Sequence, residues 1–319
     1  MADKPRIVKT GTIVCDLVEA TPIVWKGRLY RYEYVRSKYY QPNLGGEEYF
    51  RFIDIETGEA SAPFAEGYVL GCAHVGGKCA NSDRLFVYGT NTWGGEEVRV
   101  WWGDDMEHWE TEVALHLPGW GIYNTSVCAD PDGYMMAFEC GEPADEVGVR
   151  FTIFFARSDD LRNWEPLPTE HNHTRERYAA CPALRYLDGQ YYMIYLEAIY
   201  DETPADWDRY MAEHPEQVSW QEYIARSPDL IEWELSRLNP VLKADDNDRI
   251  LAPGAQFTVG ERERIATALD VNNSDFDFCE FEGRTHIVYS WGNQHGVEHL
   301  ATAVYDGPLD EFLRGWFPE

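Results

Sequence analysis

Acidic side chains that stand where strand-like runs begin or end are the residues of this sequence best suited to chemistry. Glu19, Asp275 and Glu197 are of this kind, and His74 occupies an equivalent position. Cutting a bond between two sugars takes two carboxyl groups, one protonating the leaving oxygen and one acting as base or nucleophile. The acid must keep its proton near neutral pH, which burial and clustering with other acids promote. Taken singly, each acidic residue is better explained as a loop cap or an arginine partner, and His74 as a structural histidine. The pair His171 and His173 has no matching third ligand and reads as an exposed loop. Whether the three carboxyls meet depends on the elements that carry them.

Those elements repeat. Gly103-Asp104-Asp105-Met106-Glu107-His108-Trp109, Ser158-Asp159-Asp160-Leu161-Arg162-Asn163-Trp164 and Ser227-Pro228-Asp229-Leu230-Ile231-Glu232-Trp233 align without gaps, and a Glu follows each Trp. Each comes after an apolar run. Ser and Asp side chains in such a unit bond to backbone N–H groups and hold a tight turn. These aspartates therefore read as structural. Tyr305-Asp306-Gly307-Pro308-Leu309 reads as a worn fourth copy. Upstream of each turn lies a second signal, an apolar run, a turn with Gly or Asp, and an aromatic strand. Five such units, at Glu19, His74, Asn124, Cys181 and Asn273, divide the chain into roughly 50–65 residues each. Short strands at regular spacing predict an all-β fold, and periodic units favour a five-bladed β-propeller spanning residues 1–319 as one domain. The run 6–14 is expected to supply the outer strand of the last blade and close the ring. Closure of this kind protects sheet edges. Thr203 to Val218, with two Pro and many Asp, Glu and Ala, reads as an insertion with a short helix, and its Trp207 and Tyr210 as a lid or as pins for that helix.

In such a ring the starts of first strands and the ends of second strands face the channel mouth. The Ser/Asp turns lie on the other face. First-strand starts give Glu19, His74, Asn124, Cys181 and Asp275, with Asp277 two residues on. Second-strand ends give Asn91, Glu139, Glu197 and Trp291, followed by His295. Glu19, Asp275, Glu197 and His74 are the catalytic candidates. Asn124, Trp291, His295, Glu139 and Asp277 are the substrate-binding candidates. No metal ligand set is assigned, and a structural divalent cation in the channel stays open.

Charge narrows the partners. The 319 residues hold 27 Lys plus Arg against 56 Asp plus Glu, a formal net charge of −29, which repels nucleic-acid phosphates and anionic membranes. Neutral sugars are indifferent to it. No segment approaches the roughly 18 apolar residues of a membrane span, and the N-terminus shows no apolar signal region. The seven cysteines are scattered and odd in number, as free thiols in a reducing compartment would be. A cytoplasmic protein without disulfides is the expectation. Oligomeric state is not legible.

The units Ala156-Arg157-Ser158-Asp159-Asp160-Leu161 and Ala225-Arg226-Ser227-Pro228-Asp229-Leu230, each closing on Trp-Glu, resemble blade turns of the five-bladed glycosidases of families 43, 32, 117 and 130. The run from Cys181-Pro182-Ala183-Leu184 to Tyr191-Tyr192-Met193-Ile194-Tyr195 is similar to their fourth-blade strands. The resemblance spans about Glu19 to Asp306. It implies a propeller that handles carbohydrate, an oligosaccharide substrate and acid/base carboxylates at the channel mouth. The family 43 triad is not carried over at any position. Its acidic residue before Pro falls on Thr21-Pro22, its blade 3 Asp on Asn124, and its blade 4 Glu on Ala180 or Cys181. Family 117 implies a His working with carboxylates, here His74 or His295. Family 130 phosphorylases need cationic side chains for phosphate, and no such set is assigned. The leading expectation is an exo-acting glycosidase on a short oligosaccharide. A non-catalytic carbohydrate-binding propeller, a glycoside phosphorylase and a protein-binding scaffold are the rivals.

Overall fold

The structure, a computed structural model, describes residues 4–36, 48–76, 84–200, 209, 210, 213, 214, 217–294 and 296–318. Most of the described chain is antiparallel β-strand. The strands fall into five antiparallel groups. The first is β2 (Ala20–Trp25), β3 (Arg28–Arg36) and β4 (Glu48–Asp54), with residues 60 and 64 bridging to β4 where a fourth strand would lie. The second is β5 (Val69–Val75), β6 (Leu85–Thr90), β7 (Glu97–Gly103) and β8 (Glu110–His116). The third is β9 (Gly121–Asp130), β10 (Gly133–Glu142), β11 (Thr152–Ser158) and β12 (Glu165–Pro166). The fourth is β13 (Ala179–Leu187), β14 (Gln190–Ile199), β15 (Ser219–Ser227) and β16 (Glu234–Leu235). The fifth is β17 (Asn272–Phe281), β18 (Arg284–Gly292) and β19 (Glu298–Tyr305), completed by the N-terminal β1 (Ile7–Cys15), which pairs with β19 from Ile7↔Tyr305 to Cys15↔His299. One parallel bridge, Trp220↔Asn272, links the fourth and fifth groups. The first strands touch in the cycle β2, β5, β9, β13, β17 and back to β2.

The turns explain why each group folds locally. Ser158 Oγ accepts the Asp160 and Leu161 amides at 3.2 and 3.0 Å, and Asp160 Oδ1 accepts those of Arg162 and Asn163 at 2.9 and 2.8 Å. Ser227 and Asp229 repeat the pattern. Asp105, accepting the His108 and Glu107 amides, is held down to about 2 by those bonds. The Trp that ends each unit packs on a ring of the preceding group. Trp109 stacks on Phe64 at 4.3 Å, Trp164 meets Tyr88 edge-on at 5.8 Å, and Trp233 stacks on Phe155 at 5.9 Å. Hydrophobic cores accordingly lie between neighbouring groups, and the one between the fifth and first groups is the smallest.

One sequence expectation is corrected. Tyr305-Asp306-Gly307-Pro308 does not form a fourth Ser/Asp turn but leads into a helix, Leu309–Gly315, with Pro308 as its N-cap. Another helix, Val259–Thr267, has a complete capping box, Thr258 Oγ1 accepting the Glu261 amide while Glu261 accepts the Thr258 amide. Most of the 203–218 insertion, Trp207 included, lies outside the described residues, while Tyr210 donates to Gln217 at 3.5 Å. Cys15, Cys72, Cys128, Cys140, Cys181 and Cys279 are unbridged, and Cys79 lies outside the described residues. No described helix is long and apolar enough to cross a membrane.

Candidate active site

The first strands share an irregularity at one height. In β5, β9, β13 and β17 two residues face one on the partner strand, at Leu70-Gly71, Tyr123-Asn124, Cys181-Pro182 and Asp275-Phe276. Such bulges re-aim side chains and gather at functional sites. Leu70, Cys181 and Asp275 have φ of 58, 48 and 53°, and Glu19, just before β2, has 42°. Positive φ in a non-glycine residue costs on the order of 1–3 kcal/mol and persists only where the surroundings impose it. At Gly71, φ 99°, a Cβ would lie 2.0 Å from the Tyr88 carbonyl oxygen, so the bulge in β5 admits only glycine.

The bulges in β9, β13 and β17 line a cavity of about 430 Å³. Glu19, Asn124, Cys181 and Asp275 line it from four first strands or their entrances, and Glu139 lines it from β10. Glu139 Oε2 accepts the Cys181 amide at 2.8 Å and Asn124 Nδ2 at 3.2 Å. Glu19 Oε2 lies 3.3 Å from Arg36 Nη2. Asp275 Oδ2 accepts Ser274 Oγ at 2.7 Å. Arg36, Arg150, Glu298, Tyr123, Trp93 and Tyr178 complete much of the wall. Arg150 donates to the Tyr123 hydroxyl at 2.7 Å and lies over the Phe151 ring, while Arg36 lies over Trp93.

Burial sets the protonation of the acids. It pushes Glu139 up to about 7, against the pull of the Cys181 and Asn124 donors. It pushes Glu19 well above the carboxylate range, Arg36 opposing and Asp275, Glu298 and Glu139 adding to the rise. Asp275 is also raised by burial, but Ser274, Cys181, Arg36 and Ser290 all favour its charged form. Acids that repel one another in a common cavity each make the ionisation of the next harder. The arrangement can keep one carboxyl protonated at neutral pH beside another that is ionised, which is the requirement for acid–base bond cleavage.

The other sequence candidates lie elsewhere. In β14, Leu196 faces the cavity, so Glu197, one residue on, points to the opposite side of the sheet. There it pairs with Arg177 at 3.2 Å and accepts the Tyr195 hydroxyl at 2.9 Å. His74 and Asp277 line a second cavity of about 280 Å³ further along the first strands, where Asp277 pairs with Arg185 at 2.6 Å. Burial lowers His74 to about 4. Trp291 is fully buried, its Nε1 donating to Thr12 Oγ1 at 2.8 Å, so it is a core residue of the fifth group. His295 lies outside the described residues. Among the described residues no three His, Cys, Asp or Glu side chains are placed to hold a metal.

Sequence reasoning missed Arg36, Arg150 and Glu298. Arg36 ends β3, the second strand of the first group, so the rule that selected Glu139 reaches it too. Glu298 opens β19 and Arg150 precedes β11, positions to which neither rule applies.

No family model matches the sequence, and no curated protein matches it. Solved structures do. An α-L-arabinanase of Penicillium chrysogenum, solved with arabinobiose, is 10% identical, with a TM-score of 0.58 over 94% of this chain and 98% of that one. A thermostable family 43 glycoside hydrolase is 10% identical, with a TM-score of 0.56 over 93% and 92% of the two chains. A family 32 β-fructofuranosidase of Bombyx mori is 13% identical, with a TM-score of 0.55 over 94% of this chain and 62% of that one. These likenesses establish that the chain shares the fold of propeller glycoside hydrolases.

Proposed function

We propose that this chain is a five-bladed β-propeller glycosidase that removes a terminal residue from a short oligosaccharide, with the five antiparallel groups as its blades. The observation that carries the reading is the convergence of Glu19, Glu139 and Asp275, from three groups, on one cavity. Its volume, about 430 Å³, lies within the roughly 300–1,000 Å³ of small-molecule sites and suits a chain end. Aromatic walls from Trp93, Tyr123 and Tyr178 offer apolar faces to a sugar ring. The shared fold with glycoside hydrolases supports the same reading.

Glu139 is the general acid. Near neutral pH much of it holds a proton that can pass to the glycosidic oxygen as the bond breaks. Asp275 is the base or nucleophile, since more donors favour its charged form than favour that of the other two acids. Glu19, held by Arg36, orients the sugar beside them. Glu139, a substrate-binding candidate in the sequence, thus joins the catalytic carboxyls in place of Glu197.

The test is a screen of neutral glycosides, aryl glycosides included, with the wild type and with Glu139→Gln, Asp275→Asn and Glu19→Gln. Asp275→Asn is expected to lose about 10²–10⁴-fold on every substrate that the wild type cleaves. Glu139→Gln is expected to lose as much on sugar leaving groups and far less on aryl groups that depart without a proton. Full activity in all three variants sinks the site. Binding without turnover would favour a carbohydrate-binding propeller, and turnover that requires inorganic phosphate would favour a phosphorylase.

A further inference from the structure

The bulge in β17 leaves a backbone group to be accounted for. Asp275 and Phe276 together face one residue of β18, so the ladder gives the Phe276 amide no partner there. A buried N–H without an acceptor is costly. The acceptor comes from the neighbouring group. Glu222, in the middle of β15, takes the Phe276 amide on Oε1 at 3.3 Å. Its side chain is fully buried, and its Oε2 makes no hydrogen bond among the described residues. A carboxyl sunk this deep beside the candidate base is a costly choice if all it does is fill space.

Resting on the hydrolase reading above, the geometry points to Glu222 as a positioning residue for Asp275: by accepting the Phe276 amide it fixes the strained bulge that turns the Asp275 carboxyl into the cavity. The strain sits on Asp275 itself, at φ 53°, and Ser274 holds the carboxyl from the other side at 2.7 Å. Glu222 does not line the cavity and touches no substrate there. Its protonation fits the role. Burial and the Asp275 charge push Glu222 well above the carboxylate range, which favours its neutral form. A neutral neighbour accepts the amide through its carbonyl oxygen without driving a proton onto Asp275. The titrating groups that face it are Asp275 from β17 and Cys181 from β13, and Asp275 in turn faces Glu19, Glu139 and Arg36.

Two conservative variants test this. Glu222→Gln keeps a neutral acceptor of the same length. It should stay within two- to three-fold of wild-type kcat, with the acidic limb of the pH–rate profile unmoved. Glu222→Asp withdraws the acceptor by one methylene. It should lower kcat by about 10²-fold, the usual penalty for a reacting group displaced by an ångström. KM should change little. In its crystal structure the Asp275 carboxyl should leave its place, whereas in Glu222→Gln it should not. Wild-type kcat in Glu222→Asp, or Asp275 unmoved in both crystals, overturns the proposal. So does a loss in Glu222→Gln as large as in Asp275→Asn, because the carboxyl would then act through its own proton. If the wild type cleaves no glycoside but Asp275 moves in Glu222→Asp alone, the hydrolase reading fails and the positioning role stands.

Discussion

At the scale of single residues, Glu139 carries the sharpest expectation. Its carboxyl is raised to about 7 by burial, while two donors, the Cys181 amide and Asn124 Nδ2, favour its charged form and hold the rise in check. As a general acid it works only while protonated, so kcat/KM should fall as pH rises through about 7. Removing the Asn124 donor takes away support for the charged form, and the alkaline limb must then move up. A hydrogen bond to a charged group is worth about 1.5–3 kcal/mol, so Asn124→Ala should shift the limb by on the order of one pH unit. A limb that stays in place would mean that another group titrates. The contrast with Glu197 shows what a sequence can say at this scale. Glu139 and Glu197 both stand near the ends of second strands, and their neighbourhoods read alike. Side chains alternate across a strand, so an offset of one residue sends Glu197 to the far side of its sheet, where Arg177 holds it. Hydrophobic pattern cannot fix that offset, because both faces of β14 are buried.

At the scale of elements, the Ser/Asp turns were legible because their chemistry is local. Each hydrogen bond in the Ser158–Trp164 unit spans two or three residues. The bulges were not legible, because a bulge is defined by the partner strand. Glu19 and Asp275 could be found only by aligning repeats, and the φ that aims them comes from packing. The closing tryptophans join both levels. Trp164 follows a local turn but buries its ring against Tyr88 of the preceding group, whose hydroxyl donates to the Leu161 carbonyl at 2.7 Å. Deleting a buried aromatic ring leaves a cavity that a β-sheet edge cannot fill. Trp164→Ala should therefore cost about 3–5 kcal/mol, read as a lowered midpoint of denaturant unfolding. Asp160→Ala, at the exposed turn that leads to the same tryptophan, removes acceptors that water can replace, and should cost about 1 kcal/mol. Equal costs would show that the turn, and not the packing between groups, holds the groups together.

At the scale of the whole molecule, charge and burial push stability in the same direction. The chain carries a formal charge of −29, and acidic groups on the surface repel one another more as pH rises. Inside, Glu19, Glu139, Glu222 and Asp275 are all raised by burial, and Asp270 is raised to about 8 by burial and by Asp248. An acid raised in the folded state binds a proton that the unfolded chain, with a carboxyl near 4, has already lost. Its contribution is complete below the unfolded value and disappears as pH climbs through the folded one. The lowered turn aspartates, Asp105 and Asp160 at about 2, work in the opposite sense but only below about pH 4. Below about pH 6.5 the buried histidines His74, His173 and His299, lowered to about 4, 3 and 4, oppose the acids, because the unfolded chain then binds protons that the folded one does not. Between about pH 6.5 and 8 the raised acids prevail, so the protein should be more stable at pH 6.5 than at pH 8. Salt separates the two sources, because it screens exposed charges and leaves buried ones nearly untouched. Denaturant midpoints measured at both pH values, in low and in high salt, should keep a pH difference at high salt. Asp270→Asn, which titrates nowhere in this range, should shrink that residue. Asp270 sits beneath the seam where β1 closes against β19, with Lys9 bound to Asp248 at 2.7 Å. If high salt abolishes the pH difference altogether, surface repulsion accounts for all of it, and the buried acids ionise on folding as freely as they do in water.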